Sequence, residues 1–253
     1  ERQDDSGSYT ARIVFDPASD PFLIDHRLKD APFLPGVVAM ESLVQAARAG
    51  RPGAAHVEVR DVEIVQGIKF RDRPITTHVA VTPDGDWNHA ELSVEVRNRA
   101  GKMVDPKRAC CSGKVRLRRD SAGLDVQPPG DAPFGWMPFT YPDVALLYHG
   151  PPLRCLRQCA IQYDGGWGQI VAPDPAELAG PRGGKGWSLP LAVLDACIVA
   201  CGSFLFFQFA GRLEVPHGID VLRLGRAPVP GETCLLRHHY RGSEGRHSRF
   251  DFT

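Results

Sequence analysis

The fold of this 253-residue chain is decided by one stretch, which reads Gly36-Val37-Val38-Ala39-Met40-Glu41-Ser42-Leu43-Val44-Gln45-Ala46-Ala47-Arg48. Most of its residues are good helix formers, and its apolar side chains recur every three to four positions along one stripe. Pro35 precedes the stretch, and Gly50 and Pro52 follow it, as is typical of helix boundaries. The stretch therefore predicts a central amphipathic helix over 36–48.

Segments of alternating apolar and polar residues on both sides of this helix predict strands. One such segment precedes the helix at 9–15, and others follow it at 56–70, 75–83, 88–98 and 102–117. Asp84-Gly85 and Ala100-Gly101 are turn dipeptides between the last three of these strands. One helix followed by an antiparallel meander predicts an α+β unit in which the sheet wraps around the helix.

The same plan restarts in the second half of the chain. An apolar helix, opened by Pro190, is predicted to run to Ala210. Strand patterns precede and follow this helix, at 154–163, 167–172, 219–224, 232–241 and 247–252. The two halves therefore have the same order of elements around a central helix.

The spacing of prolines supports a tandem repeat. Pro74 lies 39 residues after Pro35, and Pro230 lies 40 residues after Pro190. By this register we expect an N-terminal half at 1–118, a polar Pro/Gly-rich linker at 119–138 and a C-terminal half at 139–253. The strand at 102–117 has no counterpart before Thr253, so we expect the second half to stop before its last strand.

Composition excludes several classes of protein. The 30 Lys and Arg balance the 30 Asp and Glu, which argues against a polybasic nucleic-acid surface. Seven cysteines without a CxxC pair indicate reduced thiols and a cytoplasmic protein, and the polar N-terminus shows no signal peptide. The apolar helix contains Asp195, which favours a buried core helix over a membrane span. No metal or nucleotide motif is present.

Three ionisable residues are candidates for catalysis. His26 lies in the loop before the first helix, where a neutral imidazole could act as a base, although a lone loop histidine is more often a surface residue. Asp195 lies in the first turns of the apolar second helix, where burial favours a protonated carboxyl that can act as an acid. Glu41 has nearly the same offset from its proline, but no histidine precedes Asp195 in 173–189. We therefore expect a single site with His26 facing Asp195, and Glu41 as a relic or structural residue.

These residues carry a resemblance to the dehydratase domains of polyketide synthases. The spacing of His26 and Pro35 resembles the His-xxx-Gly-xxxx-Pro motif of those domains, and Leu194-Asp195-Ala196 resembles the segment with their catalytic aspartate. Tyr148-His149-Gly150-Pro151 resembles their Tyr-Gly-Pro-x-Phe motif. Residues 34–47 also look like the helix start of single-hotdog dehydratases of fatty-acid synthesis. The closest similarity is to iterative synthases of the enediyne and polyunsaturated-fatty-acid types.

The resemblance implies a double hotdog and elimination of water from a β-hydroxyacyl thioester. The substrate would arrive on the phosphopantetheine arm of an acyl carrier protein, and no cofactor would be bound directly. Partners would be this carrier protein and neighbouring synthase domains, with dimerisation through the parent synthase and no nucleic acid or membrane. His26 and Asp195 would be catalytic. The substrate and oxyanion region would include Pro35, Gly36, Val37, Tyr148, Gly150 and Pro151.

Two departures from the family pattern affect the site. Asp30 replaces the motif's glycine, so an aspartate must accept the backbone angles of that turn. Val199 stands where many of these dehydratases have Gln or His, one turn after the aspartate, so Asp195 needs another orienting group or water. His149 is a secondary candidate within the site, with packing or surface exposure as the favoured interpretation.

Three alternative functions remain open at this point. A hotdog thioesterase would release free acid, whereas a dehydratase would form an enoyl thioester. A product-template cyclase also pairs a histidine with an aspartate and would yield aromatic products. A catalytically decayed module would bind carrier protein without turnover, which the changes at Asp30 and Val199 favour slightly.

Overall fold

The computed structural model describes residues 7–50, 56–98, 100–118, 134–141, 147–209, 211 and 214–253. Most of the predicted linker, 119–133, lies outside the described residues. The helices are α1 Pro21–Ile24, α2 Gly36–Ala49, α3 Pro175–Ala179 and α4 Leu191–Gln208. The strands are β1 Tyr9–Phe15, β2 His26–Leu28, β3 Ala31–Pro32, β4 His56–Ile64, β5 Ile75–Asp84, β6 Trp87–Arg97, β7 Met103–Arg118, β8 Met137–Pro138, β9 Leu147–His149, β10 Leu156–Gln162, β11 Gly165–Val171, β12 Gly218–Arg223, β13 Thr233–Glu244 and β14 His247–Phe252.

The first half is an antiparallel sheet packed against α2. Its strand order is β1-β5-β6-β7-β4, with β12 added at the outer edge of β4. Gly85 and Gly101 have φ angles of 57° and 78° in the turns before β6 and β7, where left-handed backbone favours glycine. Leu43, Val44 and Ala47 of α2 are fully buried in the core of this half. The predicted helix over 36–48 and the predicted order of strands are confirmed, but the strand predicted at 56–70 ends at Ile64.

The second half repeats the arrangement around α4. Its sheet has the order β14-β13-β11-β10-β8, and α4 packs against β10, β11 and β13. The α4 helix is long and apolar enough to cross a membrane, yet 56% of it is buried inside the protein. An antiparallel sheet wrapped on a helix is the hotdog arrangement, and the α+β prediction is confirmed.

One strand of the second half joins the sheet of the first. The sequence pattern places a strand at 219–224 in the second half, and this strand, β12, pairs antiparallel with β4 of the first half, with Ile219 opposite Val62 and Leu222 opposite Val59. Without β12, the backbone N–H and C=O groups at the outer edge of β4 would be unpaired, and β12 forms hydrogen bonds with them. In the first sheet, β7 lies between β6 and β4. Among the described residues of the second half, no strand takes the corresponding place between β14 and β12.

Helix α2 is buried on more sides than its sequence pattern predicts. The predicted stripe faces the sheet, but Glu41, Ser42 and Ala46 are also buried, because α4 and the segment before it cover the other side of the helix. This contact between the two central helices brings the two halves together next to the candidate site.

Candidate active site

Two histidines face each other in a small sheet that joins the halves. Strand β2 pairs with β3 and with β9, and the register of the second pair sets His26 opposite His149. Both side chains are buried, and their ring centroids lie 5.3 Å apart in an edge-on arrangement. Because cross-strand neighbours point to the same face of a sheet, both imidazoles enter the same site.

Asp195 reaches these histidines from helix α4. It is the fifth residue of the helix, and its side chain is buried among apolar neighbours. Its Oδ2 lies 3.3 Å from Nε2 of His149. One nitrogen from each ring and one carboxylate oxygen all lie within 4.8 Å of one another. The structure therefore places His26 and Asp195, which the sequence predicted to share a site, next to His149, the secondary candidate.

The hydrogen bond of His26 defines its tautomer. Its Nδ1 lies 2.7 Å from the carbonyl oxygen of Phe33, and a carbonyl can only accept, so Nδ1 carries the proton. The lone pair of the neutral ring is then on Nε2. Burial lowers the pKa of His26 below its ordinary value, and this effect exceeds the opposing effect of the nearby Asp195 carboxylate. His26 is therefore a neutral imidazole with a free basic nitrogen near pH 7.

The turn after His26 accommodates the change from the motif's glycine. Asp30 has a φ of 63°, and Lys29 before it has a φ of 50°. Aspartate is one of the few residues other than glycine that adopt this left-handed region with some frequency. The substitution therefore keeps the turn that leads from β2 to β3.

Gly150 allows the loop of His26 to approach β9 closely. Its N–H donates to the carbonyl oxygen of Asp25 at 2.6 Å. A Cβ at this position would lie 1.9 Å from Oδ1 of Asp25, so any other residue would require the side chain of Asp25 to move. Arg154 Nε donates to the carbonyl oxygen of His149 at 2.6 Å and fixes the same segment.

A cavity of about 2890 Å³ opens onto His26, His149 and Asp195. Gly36, at the start of α2, also lines it. Apolar side chains of α4 form one of its walls, among them Val193, Leu194, Ile198 and Val199. Next to the two histidines and Asp195, this wall gives the cavity an apolar surface beside a few buried polar groups, as is common in ligand sites.

The other residues predicted for the substrate region lie around the cavity without lining it. Pro35 is buried at the start of α2, and Val37 is buried in the core. Tyr148 neighbours His149 in β9 and points to the opposite face, where Arg27 and Arg154 lie over its ring. Pro151 is exposed at the start of a short 3-10 turn.

Glu41 lies outside the cavity, at the contact between the two halves. Its carboxylate accepts the backbone N–H groups of Ser188 at 2.7 Å and Leu189 at 3.0 Å, just before α4. Gln45 Nε2 donates to the same carboxylate at 2.6 Å. Burial raises the pKa of Glu41 to about 7 despite these donors. Glu41 therefore holds the start of α4 against α2.

Two further histidines lie away from the site. His238 is buried in β13, while His239 is half-buried and lies 3.4 Å from the carboxylate of Asp164. As adjacent residues of a strand, the two side chains point to opposite faces of the sheet. His149 is buried beside Asp195, which excludes the surface position among the interpretations favoured for it, and only the pairing of β2 with β9 shows where its ring points.

Fold and site together define a hotdog-fold protein with a buried His–Asp pair contributed by its two halves. Residues 2–99 match the family model described as polyketide synthase dehydratase domain. Among curated proteins, none matches the chain.

Solved structures of low sequence identity share the fold. The CurJ dehydratase, crystallised as an inactive mutant, is 14% identical with a TM-score of 0.77, covering 100% of this chain and 87% of its own. A trans-AT dehydratase domain from Brevibacillus brevis is 15% identical with a TM-score of 0.70, over 97% and 87% of the two chains. The RzxB dehydratase domain from Pseudomonas fluorescens is 17% identical with a TM-score of 0.69, over 95% and 86%. The N-terminal part of the chain is thus similar in sequence to this family, and the whole chain shares the fold of these dehydratase domains.

Proposed function

We propose that this chain eliminates water from a β-hydroxyacyl thioester on an acyl carrier protein and gives an α,β-enoyl thioester. The observation that carries this proposal is the convergence of His26 and Asp195 from different halves in one cavity. A ring nitrogen of His26 and a carboxylate oxygen of Asp195 lie within 4.8 Å of each other. A base and an acid at this separation can act on adjacent carbon atoms of one substrate.

His26 is the proposed base. Its Nε2 lone pair, left free by the hydrogen bond of Nδ1 to Phe33, takes the proton from the α-carbon. The electron pair of the broken C–H bond forms the new double bond. Burial lowers the pKa of His26 and keeps the ring neutral at the start of each cycle.

Asp195 is the proposed acid. In its protonated form it donates to the β-hydroxyl as the C–O bond breaks, so that this oxygen leaves as water. The two proton transfers balance, because His26 gains one proton and Asp195 loses one. Transfer of a proton back to Asp195 after product release completes the cycle.

The start of α2 is the proposed site for the thioester carbonyl. The first N–H groups of a helix have no acceptor within the helix, and its dipole favours negative charge at this end. Gly36 lines the cavity at this end of α2. Backbone N–H groups of Gly36 and Val37 would stabilise the charge that develops on the carbonyl oxygen.

The surroundings of the pair suit an acyl chain delivered on a tether. The apolar wall of α4 accommodates the chain, and the phosphopantetheine arm of the carrier protein supplies the thioester. The proposed chemistry needs no bound cofactor. We assign the two halves, 1–118 and 139–253, to one double hotdog, acting in the cytoplasm with neighbouring synthase domains and dimerising through the parent synthase.

The proposed subtype is an iterative synthase of the enediyne or polyunsaturated-fatty-acid kind. Its support is the sequence Leu34-Pro35-Gly36-Val37-Val38-Ala39-Met40-Glu41 together with His149-Gly150-Pro151. A trans-acyltransferase enoyl-isomerase with a TM-score of 0.65 has the same fold, so the fold alone does not separate elimination from a double-bond shift. The presence of Asp195 beside His26 favours elimination.

Turnover of a β-hydroxyacyl thioester tests the proposal. The wild-type chain is expected to give the enoyl thioester, and His26→Ala and Asp195→Asn are each expected to lower kcat by about 100-fold or more. His239→Ala, a half-buried histidine away from the cavity, is the matched control, and circular dichroism checks the fold of each variant. Wild-type rates in either site variant, or release of free acid, would contradict the proposal.

A further inference from the structure

His149 lies in the position that an orienting partner of Asp195 would occupy. Its Nε2 is 3.3 Å from Oδ2 of Asp195, and both side chains are buried. Among the described residues Oδ2 has no well-aligned hydrogen bond, so a small rotation of the imidazole would supply the missing donor. A buried carboxyl oxygen without a partner is costly, which makes this contact favourable.

Helix α4 offers no alternative donor one turn beyond the aspartate. Residues four apart on a helix are neighbours, so position 199 is placed to contact the carboxyl of Asp195. Valine has no hydrogen-bonding group, and Val199 lines the same cavity. A polar partner of Asp195 among the described side chains therefore comes from an element other than this turn of α4.

The backbone of His149 is fixed from three directions. His26 pairs with it across the small sheet, Arg154 Nε donates to its carbonyl oxygen, and the N–H of Gly150 is held by Asp25. The ring of Tyr141 lies on another side of the imidazole, with the centroids 5.6 Å apart. A side chain held in this way is preorganised to orient a catalytic group.

We propose that His149 is a positioning residue whose Nε2–H donates to Oδ2 of Asp195 and leaves the protonated Oδ1 directed at the substrate hydroxyl. This assignment rests on the proposed dehydratase function. An imidazole N–H can only donate and the unprotonated oxygen of a carboxylic acid can only accept, so this proposal places a proton on Nε2 of His149. The donor comes from β9 and not from α4, which compensates for Val199.

Three variants test the role in turnover. His149→Phe is expected to lower kcat about 10- to 100-fold with a change in KM below about threefold, because one hydrogen bond to the acid is lost while the cavity keeps its shape. His238→Phe, at a buried histidine in β13 away from the cavity, is the matched control and is expected to keep the wild-type rate. Val199→Gln combined with His149→Phe is expected to recover most of the loss, since the amide can reach Asp195 along the helix.

Nitrogen-15 NMR of histidine-labelled protein tests the contact without turnover. Nε2 of His149 is expected to carry the proton at neutral pH, and its shift is expected to change in Asp195→Asn. An unprotonated Nε2 whose shift is the same in Asp195→Asn as in the wild type would overturn the proposal. A wild-type kcat in His149→Phe would also overturn it, as would failure of Val199→Gln to restore the kcat of His149→Phe. If the wild-type chain shows no dehydration, the proposed function fails, and the NMR result still decides whether His149 contacts Asp195.

Discussion

The carboxylate of Glu41 accepts the backbone N–H of Ser188 at 2.7 Å, and this hydrogen bond ties the central helix of one half to the segment that begins the central helix of the other. Glu41 sits at nearly the same offset from Pro35 as Asp195 does from Pro190. One carboxyl of the repeat therefore enters the cavity, while the other holds the halves together. The difference follows from their neighbours, which are backbone donors at Glu41 and histidines at Asp195.

This contact predicts a pH-dependent stability. Burial raises the pKa of Glu41 to about 7, so the folded protein binds a proton that the unfolded chain releases above pH 4.5. The stabilisation is present below pH 4.5 and is lost as the pH rises to about 7. Between pH 5 and 8, Glu41 is expected to cost the wild type about 2–3 kcal/mol of unfolding free energy. Urea unfolding of wild type and Glu41→Gln, compared at both pH values, measures this difference.

Glu177→Gln is the matched control for the Glu41 prediction, because Glu177 is exposed on α3. Its difference from the wild type is expected to be the same at pH 5 and pH 8. A Glu41→Gln difference that is equally independent of pH would contradict the burial argument. Activity per folded molecule is expected to stay near that of the wild type, since Glu41 does not line the cavity.

The environment of His26 predicts the pH at which activity falls on the acid side of the pH–rate profile. Burial lowers the pKa of His26 from 6.5, so the neutral base persists at more acidic pH than a free imidazole would. The profile of kcat/KM against pH, which reports on the free enzyme, is expected to fall only below pH 6.5. A thioester without ionisable groups serves as the substrate, so that the limb belongs to the protein. An acid limb above pH 7 would contradict the neutral-base assignment.

His238 predicts a stability effect of the opposite sign. Burial lowers its pKa to about 4, and its Nδ1 has no partner among the described residues. The folded protein thus excludes a proton that the unfolded chain binds below pH 6.5, and stability is lost as the pH falls from 6.5 to about 4. As the pH is lowered from 7.5 to 5, the melting temperature of His238→Phe is expected to fall less than that of the wild type. Calorimetry measures both melting temperatures. Equal losses in the two proteins would show that His238 does not control the acid sensitivity.

The cluster of His26, His149 and Asp195 predicts sensitivity to zinc. Two imidazole nitrogens and a carboxylate oxygen within 4.8 Å match the ligands that Zn²⁺ prefers. Bound zinc would occupy the lone pair of His26, so added Zn²⁺ is expected to inhibit dehydration reversibly, with recovery on addition of EDTA. Removal of one ligand in His149→Phe is expected to weaken the inhibition by about 10-fold or more. A requirement for Zn²⁺, with loss of activity in EDTA alone, would contradict the proposed roles of His26 and Asp195.

The sequence by itself determined the elements and the two principal candidates of the site. Helix and strand periodicities are local, so 36–48 and the strands around it could be recognised from the order of residues. Asp195 could be found because a carboxylate is conspicuous in an apolar helix, and His26 because it lies in the loop before the other central helix. The turn at Asp30 could also be anticipated, since its left-handed backbone depends on the residue type.

The tertiary structure alone decided which distant groups meet. The pairing of β12 with β4 depends on an open strand edge in the other half, which the strand pattern of 219–224 does not reveal. The approach of His149 to Asp195 depends on the register of β2 with β9, and the contact of Glu41 with Ser188 depends on how α2 packs against the start of α4. Periodicity specifies which residues are buried, but long-range pairing and packing specify their partners, because those partners are contributed by segments far apart in the chain.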